Sequence, residues 1–245
     1  MKYAIGIDLG GTHIKTVAVT PSGEVLKKVS RDTKDSNATT CDASTHQPAW
    51  ALEVRELVDA MEGDVGEQPA FIGLCAPGLA ASDKRSIALM PGRMAGLEGL
   101  DWTNYLGFKN QVQVANDAQA ALMGEVWLGA AVGLNSVILL TLGTGVGGAV
   151  LHEGKLMRGR MGRAGSFGHI CLNPDLPPDD VGMPGSLENA IGDRSVAARS
   201  DGKFNSTRDL VSAAVSGDEF AQSVWERSVL NLACGIASLV NILDP

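Results

Sequence analysis

Three observations on this 245-residue sequence predict an α/β fold built from two related units. The run YAIGIDL, residues 3–9, stops at Gly10-Gly11 and resumes as IKTVAVT with period-2 alternation, after which Pro21-Ser22-Gly23 turns the chain into EVLKKVS. That pattern reads as three consecutive antiparallel strands. A second run, SVILLTL at 136–142, follows the same plan: it enters Gly143-Thr144-Gly145, resumes as VGGAVL, and turns at Glu153-Gly154. Segments of helical period lie between and after the two runs. The repetition suggests a duplicated α/β unit, and two domains facing each other across a cleft is the natural architecture, divided as 1–115 and 116–245.

The remaining elements follow in order. A polar stretch from Arg31 to about Gln47 reads as a surface loop. Val54, Leu57, Val58 and Met61 fall at i, i+3, i+4 and i+7, which marks an amphipathic helix ending at Gly63. FIGLCAPG (71–78) is a strand run into a Pro-Gly turn, QVQVAND (111–117) a strand ending on polar residues, and AQAALMGEVWLGAA a helix. Residues 157–186 are rich in Gly, Pro and Arg, a long loop region of functional rather than structural character. Thr207 and Asp218 are suited to N-caps, and Leu232, Ile236, Leu239, Val240 and Leu243 sit in helical period.

Composition narrows the function. Hydrophobic residues make up 44% and charged residues 20%, a globular balance, and the formal net charge of -8 argues against a nucleic-acid surface. The cysteines at 41, 75, 171 and 234 show no short spacing, so a reduced cytoplasm is expected in place of a disulfide framework. The N-terminus lacks the pattern of a signal peptide, and no apolar run is expected to reach the length of a membrane span.

Several short motifs carry chemistry, each with a plainer reading beside it. Asp8-Leu9-Gly10-Gly11-Thr12 places a carboxylate at a strand end, two glycines that let backbone N–H groups approach a phosphate, and a hydroxyl. Asp8 would suit Mg²⁺ or its waters, because a hard cation prefers oxygen ligands; the alternative is a hairpin turn with a capping Asp. Gly143-x-Gly145-x-x-Gly148 matches the dinucleotide fingerprint only as a string, since a strand and turn, not a helix, should follow it. A second phosphate-cradling hairpin is the better reading. Asn116-Asp117 lies where a strand gives way to a helix, so Asp117 is either a general base for a substrate hydroxyl or an N-cap. His169, after Arg158, Arg160 and Arg163, is either a ligand or a hydrogen-bonded structural residue.

Taken together, these residues resemble the ROK family of sugar kinases, whose fold is the two-domain actin-like ATPase (ribonuclease H-like) arrangement of mixed-sheet α/β units. The matching pieces are DLGGTHIK (8–15), GLCAPG (73–78), AND (115–117) with a helix ending in GE, LGTGVGGAV (142–150), GHI (168–170) and GSLENAIG (185–192), in family order over essentially the whole chain. The resemblance implies transfer of phosphate from Mg-ATP to a hexose hydroxyl, usually the one on carbon 6, in a cytoplasmic homodimer. It makes Asp117 the base, with Asn116, Gly78, His169 and Glu188 on the sugar. Asp8 would lie near magnesium through water, and Gly10, Gly11, Thr12, Lys15, Gly143, Thr144 and Gly145 would surround the nucleotide phosphates. It implies no nucleic-acid or membrane partner.

The departures from the family pattern are equally specific. A Glu usually stands three residues before the His of Gly-His, and here that position is Ser166. The loss removes a charge-assisted hydrogen bond worth about 1.5–3 kcal/mol. The family's zinc knuckle has the form C-x-C-G-x-x-G-C-x-E, and its aligned positions here are Asp179, Val181, Gly182, Gly185, Ser186 and Glu188. With all three thiolates replaced, no zinc is expected, since valine contributes no donor and serine is a poor ligand. The loop should deliver Glu188 by turns and hydrogen bonds instead. The family also continues beyond the N-x-L-D-P at which this sequence stops, which makes it either a fragment or a chain with an incomplete adenine side. A non-catalytic sugar sensor and a polyphosphate-dependent glucokinase are the alternatives. A sugar-responsive transcription factor is disfavoured because the first strand starts at Tyr3.

Overall fold

Alternation of apolar and polar residues over the first twenty positions produces strand β1 (Ala4–Leu9), which buries Ile5, Ile7 and Leu9, and strand β2 (His13–Val19), which buries Ile14, Thr16 and Ala18. The structure is a computed structural model that describes residues 2–33, 47–90 and 94–245. Most of the polar stretch read as a loop, residues 34–46 with Cys41, lies outside the described residues.

Contacts divide the chain into two compact units: unit 1 is Met1–Gly124 with Gly159–Arg163, and unit 2 is Glu125–Arg158 with Ala164–Pro245. In unit 1, β1 and β2 pair antiparallel and β2 pairs antiparallel with β3 (Val25–Asp32), as the hairpin pattern requires. Helix α1 (Ala49–Val65) then crosses over, and β4 (Phe71–Ala76) joins β1 in parallel. A short hairpin of β5 (Leu79–Ala80) and β6 (Ile87–Leu89) and helix α2 (Trp102–Leu106) lead to β7 (Gln113–Asn116), which lies parallel to β4. The sheet order among the described residues is β3-β2-β1-β4-β7. Helix α1 ends with Gly66 in the left-handed region (φ +78°), three residues later than Gly63, because Met61 continues the buried stripe and Gly66 closes the turn by donating its N–H to Glu62. Trp50, Trp102 and Tyr105 pack ring against ring beneath the sheet, with centroids 5.6–6.0 Å apart.

Helix α3 (Asp117–Leu128) follows β7 directly. Unit 2 repeats the opening of unit 1: β8 (Val137–Leu142), β9 (Val146–His152) and β10 (Lys155–Leu156) form an antiparallel meander in the order β10-β9-β8. Gly143-Thr144-Gly145 leads directly into β9, so a strand and not a helix follows that turn, as its sequence predicted. The Gly- and Arg-rich region contains a single 3₁₀ turn at Phe167–His169 among its described elements. Helices α4 (Leu187–Ile191), α5 (Val196–Arg199), α6 (Thr207–Val215) and α7 (Glu219–Leu243) complete the chain.

Two sequence expectations need correction. Ser206, not Thr207, caps α6, because its hydroxyl is the one placed to accept the Asp209 N–H; Asp218 caps α7 as expected, accepting from Ala221. Helix α7 also spans 25 residues and is apolar enough to meet the length and composition of a membrane span, which the scattered Ser228, Asn231, Ser238 and Asn241 disguised. Its buried residues, Ala221, Ser228, Gly235 and Leu239, pack within unit 2, Leu239 against Val150 and Phe167.

Candidate active site

In unit 1 the candidate residues collect where parallel strands end. Asp8, one residue before the end of β1, stands beside Cys75 of β4 in the parallel register and opposite Lys15 of β2 in the antiparallel one. Lys15 Nζ lies 3.6 Å from Asp8 Oδ2, both side chains about half exposed, and the Cys75 thiol donates toward Asp8 Oδ1 at 3.8 Å. The Gly10-Gly11-Thr12 turn is held from inside. The Gly10 N–H donates to the His13 carbonyl at 3.1 Å, the Thr33 hydroxyl donates to the Gly10 carbonyl at 2.6 Å, and the Thr33 N–H donates to the Thr12 carbonyl at 2.9 Å.

One register step across the sheet, Ala76 of β4 faces Asn116 of β7. Asn116 does two structural jobs at once. Its side-chain oxygen accepts the N–H of Ala118 at 3.0 Å and of Gln119 at 3.4 Å, capping α3, and its side-chain amide donates to the Gly78 carbonyl at 2.9 Å. Gly78 itself must be glycine: φ is +95°, and a Cβ would approach within 2.9 Å of Met90 Cβ. With Asn116 as the cap, Asp117 accepts the Ala118 N–H on one oxygen (2.7 Å), and the Asn116 side chain also hydrogen-bonds its carboxylate. Desolvation by the surrounding protein raises its pKa, the Ala118 N–H opposes that, and the charge of Asp8 raises it further. The Cys75 thiol, pushed up to about 12 by burial and then by Asp8 and Asp117, stays protonated.

In unit 2 the turn Gly143-Thr144-Gly145 is braced by the segment after α4. The Gly143 N–H donates to the Gly145 carbonyl, while the N–H groups of Asp193 and Arg194 donate to the carbonyls of Gly143 (2.9 Å) and Thr144 (3.1 Å). Glu188 reaches the same turn with its side chain. One oxygen accepts the Val146 N–H at 2.9 Å, and the other pairs with Arg194, which also holds Asp180 at 2.6 Å. Gly145 leaves the space this carboxylate occupies, since a Cβ there would lie 2.9 Å from Glu188 Cδ. A cavity of about 360 Å³ opens beside the turn, lined by Gly143, Thr144, Gly145, Asp193, Thr207 and Trp225 among others.

The degenerate knuckle is organised by Asp179, whose side chain is fully buried. Its Oδ1 accepts the N–H groups of Val181 (3.0 Å) and Met183 (2.9 Å), and its Oδ2 lies 2.8 Å from Nδ1 of His169. Burial alone would raise its pKa, but the hydrogen bonds from His169, Met183, Ser186 and Val181 outweigh it and leave the pKa below the usual carboxylate value. The stabilisation is therefore present at neutral pH and lost as pH falls through that lowered value. Ser166, at the position of the family glutamate, accepts the His169 N–H with its carbonyl at 3.2 Å.

The structure thus groups Asp8, Gly10, Gly11, Thr12, Lys15, Gly78, Asn116 and Asp117 in unit 1, and Gly143, Thr144, Gly145, His169 and Glu188 in unit 2. The sequence reading missed Arg194 and the bracing role of Glu188, and it passed over Asp179 as a hub. An acid standing where the knuckle pattern has a thiolate was the available signal for Asp179.

The fold and these strand-end motifs define the class: an α/β chain of the actin-like ATPase fold, and a phosphotransferase of the hexokinase and glucokinase kind. The ROK family model matches residues 4–245, and the chain belongs to that family. It is 31% identical to the glucokinase of Thermotoga maritima, over 98% of this chain and 78% of the relative. Among solved structures it is similar to the ROK hexokinase of Thermus thermophilus, with 29% identity, a TM-score of 0.81, and coverage of 99% of this chain and 79% of that one. It is also similar to a ROK family glucokinase from Streptomyces griseus in complex with glucose and AMPPNP, with 25% identity, a TM-score of 0.73, and coverage of 99% and 80%.

Proposed function

We propose that this chain transfers the γ-phosphoryl group of Mg-ATP to a hexose hydroxyl, most simply O6 of glucose or a related hexose, with Asp117 as general base. The observation that carries the reading is the strand-end pair of unit 1. Asp117 stands at the start of α3 while Asn116 takes over the capping duty, and Asp8 lies one residue before the end of β1, which runs parallel in the same sheet with β4 between it and β7. Open α/β sheets bind ligands at the carboxyl ends of their strands. The relatives named as glucokinase and hexokinase support the acceptor, and the cavity beside Gly143-Thr144-Gly145 supports a nucleotide in unit 2.

In this reading the Asp117 carboxylate accepts the proton of the attacking hydroxyl as its oxygen bonds to the γ-phosphorus and the bond to the bridging oxygen breaks, releasing ADP. Asp8 fits a hydrated hard cation, being a half-exposed carboxylate whose nearest cation, Lys15, is 3.6 Å away. Magnesium there would neutralise charge on the β- and γ-phosphates. Gly11 and Thr12, with Lys15, offer donors and a positive charge to the phosphates, and Gly10 shapes the turn that presents them. Membership of the family supports Asn116, Gly78, His169 and Glu188 as sugar contacts. Glu188 shares its oxygens with Val146 and Arg194, so it joins sugar contact to the bracing of the phosphate turn.

A coupled ADP-release assay across glucose, N-acetylmannosamine, mannose, fructose and allose tests the reading. At least one sugar should stimulate ATP turnover. Activity with polyphosphate but not ATP would replace the donor, and no stimulation by any sugar would overturn the kinase reading.

The Asp117 environment has its own expected result. In the nucleotide-free protein, carbon-13 NMR titration should give Asp117 a pKa above that of an ordinary Asp, and Asp8→Asn should lower it, because a neighbouring negative charge is removed. Turnover should therefore fall on the acid side at a higher pH than an unperturbed Asp would give. An Asp117 pKa unmoved by Asp8→Asn would sink the coupling.

A further inference from the structure

The knuckle loop poses a chemical question that the kinase reading leaves open. His169 Nδ1 faces a buried group, and in a zinc knuckle that group would be the metal. Here the four knuckle positions are His169, Asp179, Val181 and Ser186. Valine has no donor atom, and the Asp179 carboxylate is already filled by protons, two from backbone N–H groups at 2.9 and 3.0 Å. The Ser186 hydroxyl, itself fully buried, donates to Asp179 and accepts the Asn189 N–H at 3.2 Å, so it caps α4. A cation at the centre would meet N–H groups pointing at the same oxygens. The residues do not fit a structural zinc.

The carboxylate instead joins the three pieces of chain that the knuckle must hold. Through His169 it fixes the 3₁₀ turn, through Val181 and Met183 it closes the loop, and through Ser186 it reaches the first turn of α4, where Glu188 begins its path to the phosphate turn. Backbone bonds from Gly182 to the Asp179 carbonyl and from Asp179 to the Met183 carbonyl, both 2.9 Å, tighten the loop around the carboxylate. An ionised carboxylate has only acceptors to offer, so the proton in the 2.8 Å contact with His169 resides on Nδ1. In neutral imidazole that leaves Nε2 bare, on a side chain still 30% exposed.

We infer that Asp179 is a positioning residue that substitutes for a structural metal: its buried carboxylate locks His169 as the Nδ1–H tautomer, so that Nε2 presents a hydrogen-bond acceptor to a substrate hydroxyl. The inference rests on the sugar-kinase reading for the identity of that hydroxyl, but the tautomer and the metal content do not depend on it. A hydroxyl donating to His169 Nε2 is a different demand from one accepting from an imidazolium, and it favours a sugar carrying a free hydroxyl at that point over one blocked there.

The test uses the full chain. Two-bond proton–nitrogen correlation spectra at pH 8, with His169 assigned by the loss of its signals in His169→Gln, should show the Nδ1–H tautomer. Metal analysis of protein produced with added zinc should find far less than one zinc per chain. Asp179→Asn turns an amide N–H₂ toward Nδ1 while its carbonyl keeps the two backbone N–H groups, and it should shift His169 toward the Nε2–H tautomer. With it the sugar KM should rise by up to about ten-fold, as loss of one hydrogen bond to a neutral acceptor implies, with kcat and the ATP KM little changed. A purely structural role would lower stability and raise both KM values without inverting the tautomer. An Nε2–H or imidazolium form in the native protein, stoichiometric zinc, or a tautomer unmoved by Asp179→Asn would overturn the inference. If no sugar stimulates turnover, the kinase reading fails by itself while the spectra and metal analysis still decide the role of Asp179.

Discussion

Asparagine in place of Asp117 is expected to lower kcat by about 10²–10⁴-fold, the usual worth of a positioned general base, while sugar affinity measured by calorimetry stays near that of the native protein. The substitution is mild structurally. An Asn oxygen can still accept the Ala118 N–H now held at 2.7 Å, and the helix cap belongs to Asn116. Stability should not suffer either. The pKa of Asp117 is raised by folding, so its ionised form is less favourable in the folded chain than in the unfolded one at any pH above its folded value. Removing that charge relieves the cost, and the melting temperature at neutral pH should be unchanged or higher. Near-native turnover in the Asn variant would remove Asp117 from the role of base. Loss of activity accompanied by unfolding would show that the residue is structural.

Glu188→Ala should produce the second large effect, and through a different route. The variant leaves the Val146 N–H without its acceptor at a buried strand start and takes from Arg194 one of its two carboxylates. An unsatisfied buried donor costs about 1–3 kcal/mol, and the broken ion pair adds to it. A loss of roughly 2–4 kcal/mol would lower the melting temperature of a chain this size by several degrees, at about 2–4 °C per kcal/mol. Because the same carboxylate stands behind the Gly143-Thr144-Gly145 turn, KM for ATP should rise together with KM for the sugar. A variant that loses sugar affinity alone, at native stability, would confine Glu188 to the sugar.

The contrast between Glu188 and Asp117 shows how far residue patterns carry. Asp117 was legible because its signal is local. An Asn-Asp pair at the junction of an apolar strand and a helical segment has two possible uses, helix cap and general base, and the structure gives the cap to Asn116. Glu188 was legible only as the last acid of a degenerate knuckle. Its partners are Val146, 42 positions away, and Arg194 on the far side of a turn, and no local periodicity ties them. The α6 cap was misplaced by one residue for a related reason, since Ser206 and Thr207 offer the same hydroxyl and only the backbone geometry selects between them.

The sequence by itself determined the two strand-turn-strand repeats, the antiparallel order of the first three strands and the identity of most candidate residues, because period-2 alternation and glycine-bounded turns express interactions between near neighbours. It also determined that three thiolates are missing from the knuckle. Only the tertiary structure decided what replaces them. A carboxylate buried among two backbone N–H groups, a serine hydroxyl and an imidazole is stable there because each donor comes from chain segments that folding has already brought together. Hydrogen-bond satisfaction of a buried charge is a property of that assembled surrounding, and no stretch of sequence read alone contains it.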